Sequence, residues 1–186
     1  MDFPFDEATF RTGLFALQTA RFGRVSELLI QRLTGAGMGR TRFHDLFHVA
    51  AGERLEVKVS RVQRKHPAPV DETNVIEIIM AEGASRAVLY DDRAAPGIMF
   101  DCNIQQVKPA QFDRLYYGLF FYDRVAFFSV VAGEVANMPG WSSRQHLGNE
   151  GEGQFHLTNR NVDQHVAKYL ANTLTYEEFR NLLAPS

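Results

Sequence analysis

The chain carries one cysteine, Cys102, and one tryptophan, Trp141, in 186 residues. A single thiol excludes an internal disulfide and a cysteine-built zinc site, and it fits a reducing compartment. No apolar run reaches the ~18 residues of a membrane span. The longest candidate, YYGLFFYDRVAFFSVV, is interrupted by Asp123 and Arg124. The start, MDFPFDEA, lacks the basic region of a secretory signal, so a cytoplasmic location is the expectation. Positive charge is also scarce: 20 Lys and Arg stand against 22 Asp and Glu, a net charge of -2. That argues against a uniformly basic nucleic-acid coat. It still allows an enzyme that needs carboxylates for metal and confines its basic residues to one face.

What is present is aromatic. Fifteen Phe and six Tyr, within 45% hydrophobic and 23% charged residues, suit one soluble domain over 1–186 with a substantial core. Residues 6–33 repeat apolar side chains at helical steps and predict one long helix or two short ones, with Gly13 and Gly23 as possible bends. TGAGMG, residues 34–39, ends the helix. It is no phosphate-binding loop, because no Gly-Lys-Ser/Thr follows. Residues 41–49 and 54–61 read as an antiparallel hairpin. A short helix in NVIEIIMAEGAS, a short strand at 86–90 and a third main strand at 98–107 follow. A helix over PAQFDRLYYGLFFYD, a strand over RVAFFSVV, a polar stretch at 137–161 with a strand at 154–157, and one or two C-terminal helices complete the pattern. The alternation predicts one mixed α/β domain.

The hairpin is where chemistry concentrates. In RTRFHDLFHVAAGERLEVKVS, alternation puts Glu56, Lys58 and Ser60 on one face of the second strand and Leu55, Val57 and Val59 on the other. Asp45 lies on the opposite arm, so its carboxylate and that of Glu56 can converge although eleven positions apart. Both offer the hard oxygens that Mg2+ prefers. Lys58 can orient or deprotonate an attacking water, or stabilise developing negative charge. His44 and His48 are four apart, a helical zinc spacing, but in a strand they oppose Asp45, and no cysteine cluster supports zinc.

Asp45 followed by Glu56-Val57-Lys58 resembles the Asp…(Asp/Glu)-x-Lys signature of the PD-(D/E)XK, restriction-endonuclease-like nuclease superfamily. His44 stands where the family name implies proline. The order of elements is similar, with a helix before the hairpin, and Glu27 on that helix matches an acidic residue many such nucleases carry. QVKPAQFDRLYYGLFFYDRVAFFSV and SSRQHLGNEGEGQFHLT resemble later segments of type II restriction enzymes. The resemblance implies a mixed central sheet flanked by helices. It further implies an Mg2+-dependent, site-specific deoxyribonuclease acting on double-stranded DNA, metal ligation through Asp45 and Glu56, with the Val57 carbonyl as a further metal ligand, and a homodimer with no membrane association. Catalytic candidates are Asp45, Glu56, Lys58 and Glu27. Candidate DNA contacts are Arg42, Arg61, Arg64, Lys65 and Gln106, with Lys108 and Arg40 as neighbours. In the polar segment 142–158, Arg144 and Gln145 are candidate readers of base edges, since Arg suits guanine and Gln suits adenine.

Two other readings stay open at this level. One is a repair or nicking nuclease of the same fold. The other is a non-catalytic DNA-binding or assembly subunit, in which an aromatic helix from Phe112 to Tyr122 forms the interface.

Overall fold

Asp6 opens the first helix, and its carboxylate accepts the backbone N–H groups of Ala8 and Thr9. A computed structural model describes residues 6–39, 44–65, 69–82, 86–145 and 151–184. Helix α1 covers Glu7–Ala16 and helix α2 covers Thr19–Thr34. Leu17 and Gln18 turn extended between them, so the break falls there and not at Gly13 or Gly23. Gly35 ends α2 with φ 72°, the left-handed conformation glycine takes without strain.

Strands β1 (Gly37–Met38), β2 (Leu46–His48) and β3 (Glu53–Arg61) form an antiparallel meander. The expected hairpin is present, with a first arm shorter than the predicted 41–49; residues 41–43 lie outside the described residues. Helix α3 (Val75–Glu82) follows as expected. The predicted strand at 86–90 reduces to one isolated bridge between Ala87 and Gln63.

The segment 109–123 is not a helix. After a 3-10 turn at Pro109–Gln111, Arg114–Phe120 forms strand β5, which pairs parallel with β3 and antiparallel with β6 (Arg124–Val131). The reason is burial on both sides. Leu115, Tyr117 and Leu119 enter one hydrophobic core and Phe120 the other, so a central strand is apolar all round. Gly118 sits where an added Cβ would come within 2.7 Å of the Phe127 ring. An aromatic interface helix over Phe112–Tyr122 is therefore excluded.

Two reciprocal forks fix the register at the start of this parallel pair. Arg54 donates from Nε and Nη2 to Asp113 at 3.0 and 2.8 Å, and Arg114 donates from Nε and Nη2 to Glu53 at 3.0 and 3.1 Å. Hydrogen bonding from Arg54 holds the Asp113 carboxyl down at about 2.

The predicted third main strand forms as β4 (Asp101–Val107) but leaves the central sheet. It pairs with β8 (Gly153–Thr158), which also carries β7 (Trp141–Ser142). The C-terminal region gives helix α4 (Val162–Tyr169), an unpredicted edge strand β9 (Leu170–Thr175) and helix α5 (Tyr176–Leu183). The central order is β1-β2-β3-β5-β6-β9. Leu14, Phe22, Leu29, Ile30 and Phe179 from α1, α2 and α5 pack on one face. The smaller sheet and α4 cover β5 and β6 on the other, through Cys102, Ile104, Phe155, Leu157 and Val162. The result is a mixed central sheet flanked by helices, with a second sheet in one layer. No helix among the described residues is long and apolar enough to cross a membrane.

His165 lies fully buried in this second core. The Tyr117 hydroxyl is 2.8 Å from its Nδ1, and its Nε2 is 3.1 Å from the Pro139 carbonyl. An Nε2–H that donates to the carbonyl leaves Nδ1 to accept from the tyrosine, so both partners suit a neutral ring. Burial pushes its pKa down to about 4. Between an unfolded value near 6.5 and this folded value, the unfolded chain binds the extra proton. Stability is therefore complete above ~6.5 and falls as pH drops towards 4. The wild type is expected to lose about 3 kcal/mol over that window relative to His165→Gln, measured by urea denaturation at several pH values. Parallel stability profiles for the two proteins would contradict a buried neutral ring.

Candidate active site

Strand β3 has two faces. Leu55 and Val57 are buried towards α2, while Glu56 and Lys58 point to the opposite side. The Asp45 backbone N–H donates to the Leu55 carbonyl at 3.1 Å, just before β2 begins. Its carboxylate then reaches across the hairpin and accepts the Val57 N–H through Oδ2 at 2.8 Å. Lys58 Nζ lies 2.6 Å from Glu56 Oε1. The Glu56 side chain is 13% exposed and that of Lys58 26%, so the pair is not a freely solvated surface contact.

Burial raises the Glu56 carboxyl above its ordinary range. Lys58 opposes that rise, and the charges of Asp45 and Glu27 add to it. Glu27, on α2, is thus close enough to bear on Glu56. Its own Oε2 accepts from Arg24 Nη1 at 2.8 Å, and the same Nη1 lies 3.0 Å from Met38 Sδ on β1. Asp45, Glu56 and Lys58 meet on the hairpin, and Glu27, paired with Arg24 on α2, is near enough for its charge to act on Glu56. Sequence reading passed over Arg24, because an i,i+3 Arg–Glu pair is common on exposed helices.

The donor chemistry suits a hard divalent cation. Among the described residues, no three His, Cys, Asp or Glu side chains converge closely enough to hold a metal ion. Mg2+ does not require that: one or two carboxylates with waters and substrate oxygens complete its octahedron. Asp45 and Glu56 fit this mode.

The other expected residues are distributed differently. Arg61 is taken up by the opposite, helix-covered face. Its Nη2 donates to the Leu17 carbonyl at 2.5 Å and its guanidinium lies 3.9 Å from the Phe22 ring centroid. It therefore does not share the polar face with Lys58. Arg64 and Lys65 are exposed beyond the end of β3, and Lys65 Nζ stands 3.7 Å from Asp101. Gln106 adopts φ 56° at an irregularity between Ile104 and Val107. Its N–H donates to Gln145 Oε1 at 2.6 Å. Lys108 pairs with the buried Glu152 at 2.8 Å. Arg144 is exposed, and Ser142 Oγ donates to its carbonyl at 2.8 Å. Arg40, Arg42, His146 and Asn149 lie outside the described residues. His48 is occupied locally: Nδ1 accepts from Ala51 N–H at 3.1 Å and Nε2 lies 3.1 Å from the Thr34 carbonyl.

Comparison with family models and with curated proteins gave no match. The site is read from its own geometry.

A carboxyl whose folded pKa is raised favours the fold when protonated and loses that contribution as pH rises through the folded value. Glu56→Gln removes this loss. Measured by urea denaturation in EDTA, its stability relative to wild type is expected to rise from pH 4 to pH 8. The gain should be about 1.4 kcal/mol for each pH unit by which the carboxyl is displaced. A difference that does not change with pH would show that Glu56 is not held against ionisation.

Proposed function

We propose that this chain is an Mg2+-dependent endodeoxyribonuclease that hydrolyses phosphodiester bonds in double-stranded DNA at a specific site, in the manner of a type II restriction enzyme. One observation carries the reading: the Asp45 carboxylate is pinned to the Val57 N–H, beside the Glu56–Lys58 pair on the polar face of the same strand. A helix precedes this hairpin, and a further strand joins β3 in the same sheet. The helix and hairpin come in the order that the resemblance implies, but the strand, helix and strand expected after them do not, since Arg114–Phe120 is strand β5 and β4 lies in the second sheet.

Phosphodiester cleavage needs an activated water and neutralisation of charge on the phosphoryl oxygens. Asp45 and Glu56 would hold Mg2+, which supplies Lewis acidity at the phosphate and lowers the pKa of bound water. The Val57 N–H fixes the Asp45 carboxylate, so its orientation is set before substrate arrives. Lys58 stands over Glu56, where its ammonium can orient the attacking water or stabilise negative charge as it develops. Arg64, Lys65 and Arg144 are exposed cations available to phosphates or bases. Two copies around a two-fold axis would bring one active site to each strand of a palindromic target.

Plasmid DNA incubated with Mg2+ should give discrete bands, and EDTA should abolish them. Lys58→Ala is expected to cut about 100-fold more slowly or worse in single-turnover assays while binding DNA nearly as well as wild type. Asp45→Ala should be equally impaired. A smear would indicate cleavage without site preference, and nicked circles alone would favour a nicking nuclease. Full cutting by Lys58→Ala would overturn the assignment of the lysine.

A further inference from the structure

A second concave site lies just outside the carboxyl ends of the parallel strands β3 and β5. Arg61 and Phe120 are their last paired residues, and the Val62 N–H still donates to the Phe120 carbonyl at 2.9 Å. Past that bond, Val62, Gln63 and Tyr122 border a cleft of about 240 Å3 with α1. Ligands of open α/β sheets commonly bind outside the carboxyl ends of the strands. Val62 and Gln63 follow Lys58 by four and five residues, about 13 to 17 Å of extended chain, so the cleft is separate from the Glu56–Lys58 pair. Its charged lining is cationic: Arg11 and Arg86 face it, and none of the described residues that line it is acidic. The Arg11 guanidinium lies 3.8 Å from the Tyr122 ring centroid, and Arg86 Nε donates to the Arg64 carbonyl at 3.1 Å. Both cations are therefore held at the cleft before a ligand arrives. Glu7 pairs with Arg11 at 3.0 Å, but this carboxylate is 47% exposed, so the pair is weak and open to exchange.

We infer that this cleft binds a phosphate monoester carried on a small, partly apolar group, with Arg11 and Arg86 on the phosphate. The inference goes beyond the nuclease reading and does not depend on it. The two halves of the lining select the two halves of the ligand. A phosphate monoester carries about -1.5 to -2 at pH 7, which two guanidinium groups match better than a single carboxylate charge. Its oxygens also suit the fork of arginine donors. Thr12 and Gln63 add a hydroxyl and an amide that can donate to the remaining oxygens. Phe15 and Ala87 supply an apolar wall that a bare inorganic ion would leave wet. A wholly apolar guest would instead strip water from two cations without pairing them. The size agrees, because a benzene-sized ring needs a cavity of about 150 Å3. The remaining volume suits one tetrahedral anion.

The test uses the full chain in EDTA, with phenyl phosphate, benzoate and inorganic phosphate as probes in isothermal titration calorimetry. Phenyl phosphate should bind about tenfold more tightly than either of the others. Arg11→Gln and Arg86→Gln should each weaken it about tenfold. Ala87→Phe fills the cleft without changing charge and should abolish binding. Arg160→Gln, in the turn after β8, controls for net charge and should bind like wild type. Because Arg11 also braces α1 against Tyr122, thermal melts accompany each variant. If Arg11→Gln proves unfolded, Arg86→Gln and Ala87→Phe decide the matter. Thymidine 5′-monophosphate and an oligonucleotide with and without a 5′-phosphate then separate a free nucleotide from a strand end as the source of the group. The inference is overturned if wild type binds no phenyl phosphate at millimolar concentration, or binds benzoate or inorganic phosphate equally well. It is also overturned if folded Arg86→Gln and Ala87→Phe both bind like wild type, or if Arg160→Gln weakens binding as much as Arg86→Gln.

Discussion

The parallel pairing of β3 with β5 governs the arrangement of everything else. Antiparallel neighbours can be joined by a tight turn, but parallel ones need a crossover long enough to return the chain to its starting edge. Here residues 62–113 make that return, and they carry α3 and β4 with them. Strand β4 lies on the return path and stays outside the central sheet. It instead finds β8 and builds a second layer over β5 and β6. The crossed forks Arg54–Asp113 and Arg114–Glu53 tie the end of the return to the start of β3. The position of Glu56 and Lys58 follows from this. They share a face with Leu115 and Tyr117, which the second layer buries, but lie one strand further out and stay partly exposed.

That intermediate burial has electrostatic consequences. A carboxylate at the surface interacts weakly with its neighbours, and one in a dry core is neutral or paired at considerable cost. Glu56 lies between these limits. Burial resists its ionisation, Lys58 supports it, and two further carboxylates oppose it. The neighbourhood holds three acidic side chains, Asp45, Glu56 and Glu27, against two cations, Lys58 and Arg24. An excess of negative charge at partly buried positions attracts positive charge.

The candidate site was more legible in the sequence than the fold was. Asp45, Glu56 and Lys58 depend on strand alternation and a short hairpin, both local properties that residue spacing encodes. Arg61, a candidate DNA contact, obeys the same alternation. It is odd-numbered like Val57 and Val59, so it turns to the helix layer. Strand β5 was read as a helix because a strand buried on both faces has no period to show. Strand β9 was hidden because the fourfold spacing of Val162, Val166 and Leu170 runs on to its first residue. The departure of β4 from the central sheet depends on pairing across fifty residues, which no local pattern contains.

The polar segment 142–158 changes meaning once it is folded. On composition it reads as a polar loop rich in donors with a short strand at 154–157. In the structure its C-terminal part is β8, whose outward residues are already matched to β4: His156 Nδ1 lies 2.6 Å from Asp101, and Gln154 accepts from Asn103 at 3.3 Å. Gln145 holds the N–H of Gln106, and Glu152 holds Lys108. These ties brace Gln145, Glu152, Gln154 and His156 against β4 and the residue just after it. A braced surface loses less conformational entropy on binding than a free loop with the same side chains. Its hydrogen-bonding pattern is also set in advance, and Gln106 contributes by accepting the left-handed backbone that lets its N–H face Gln145.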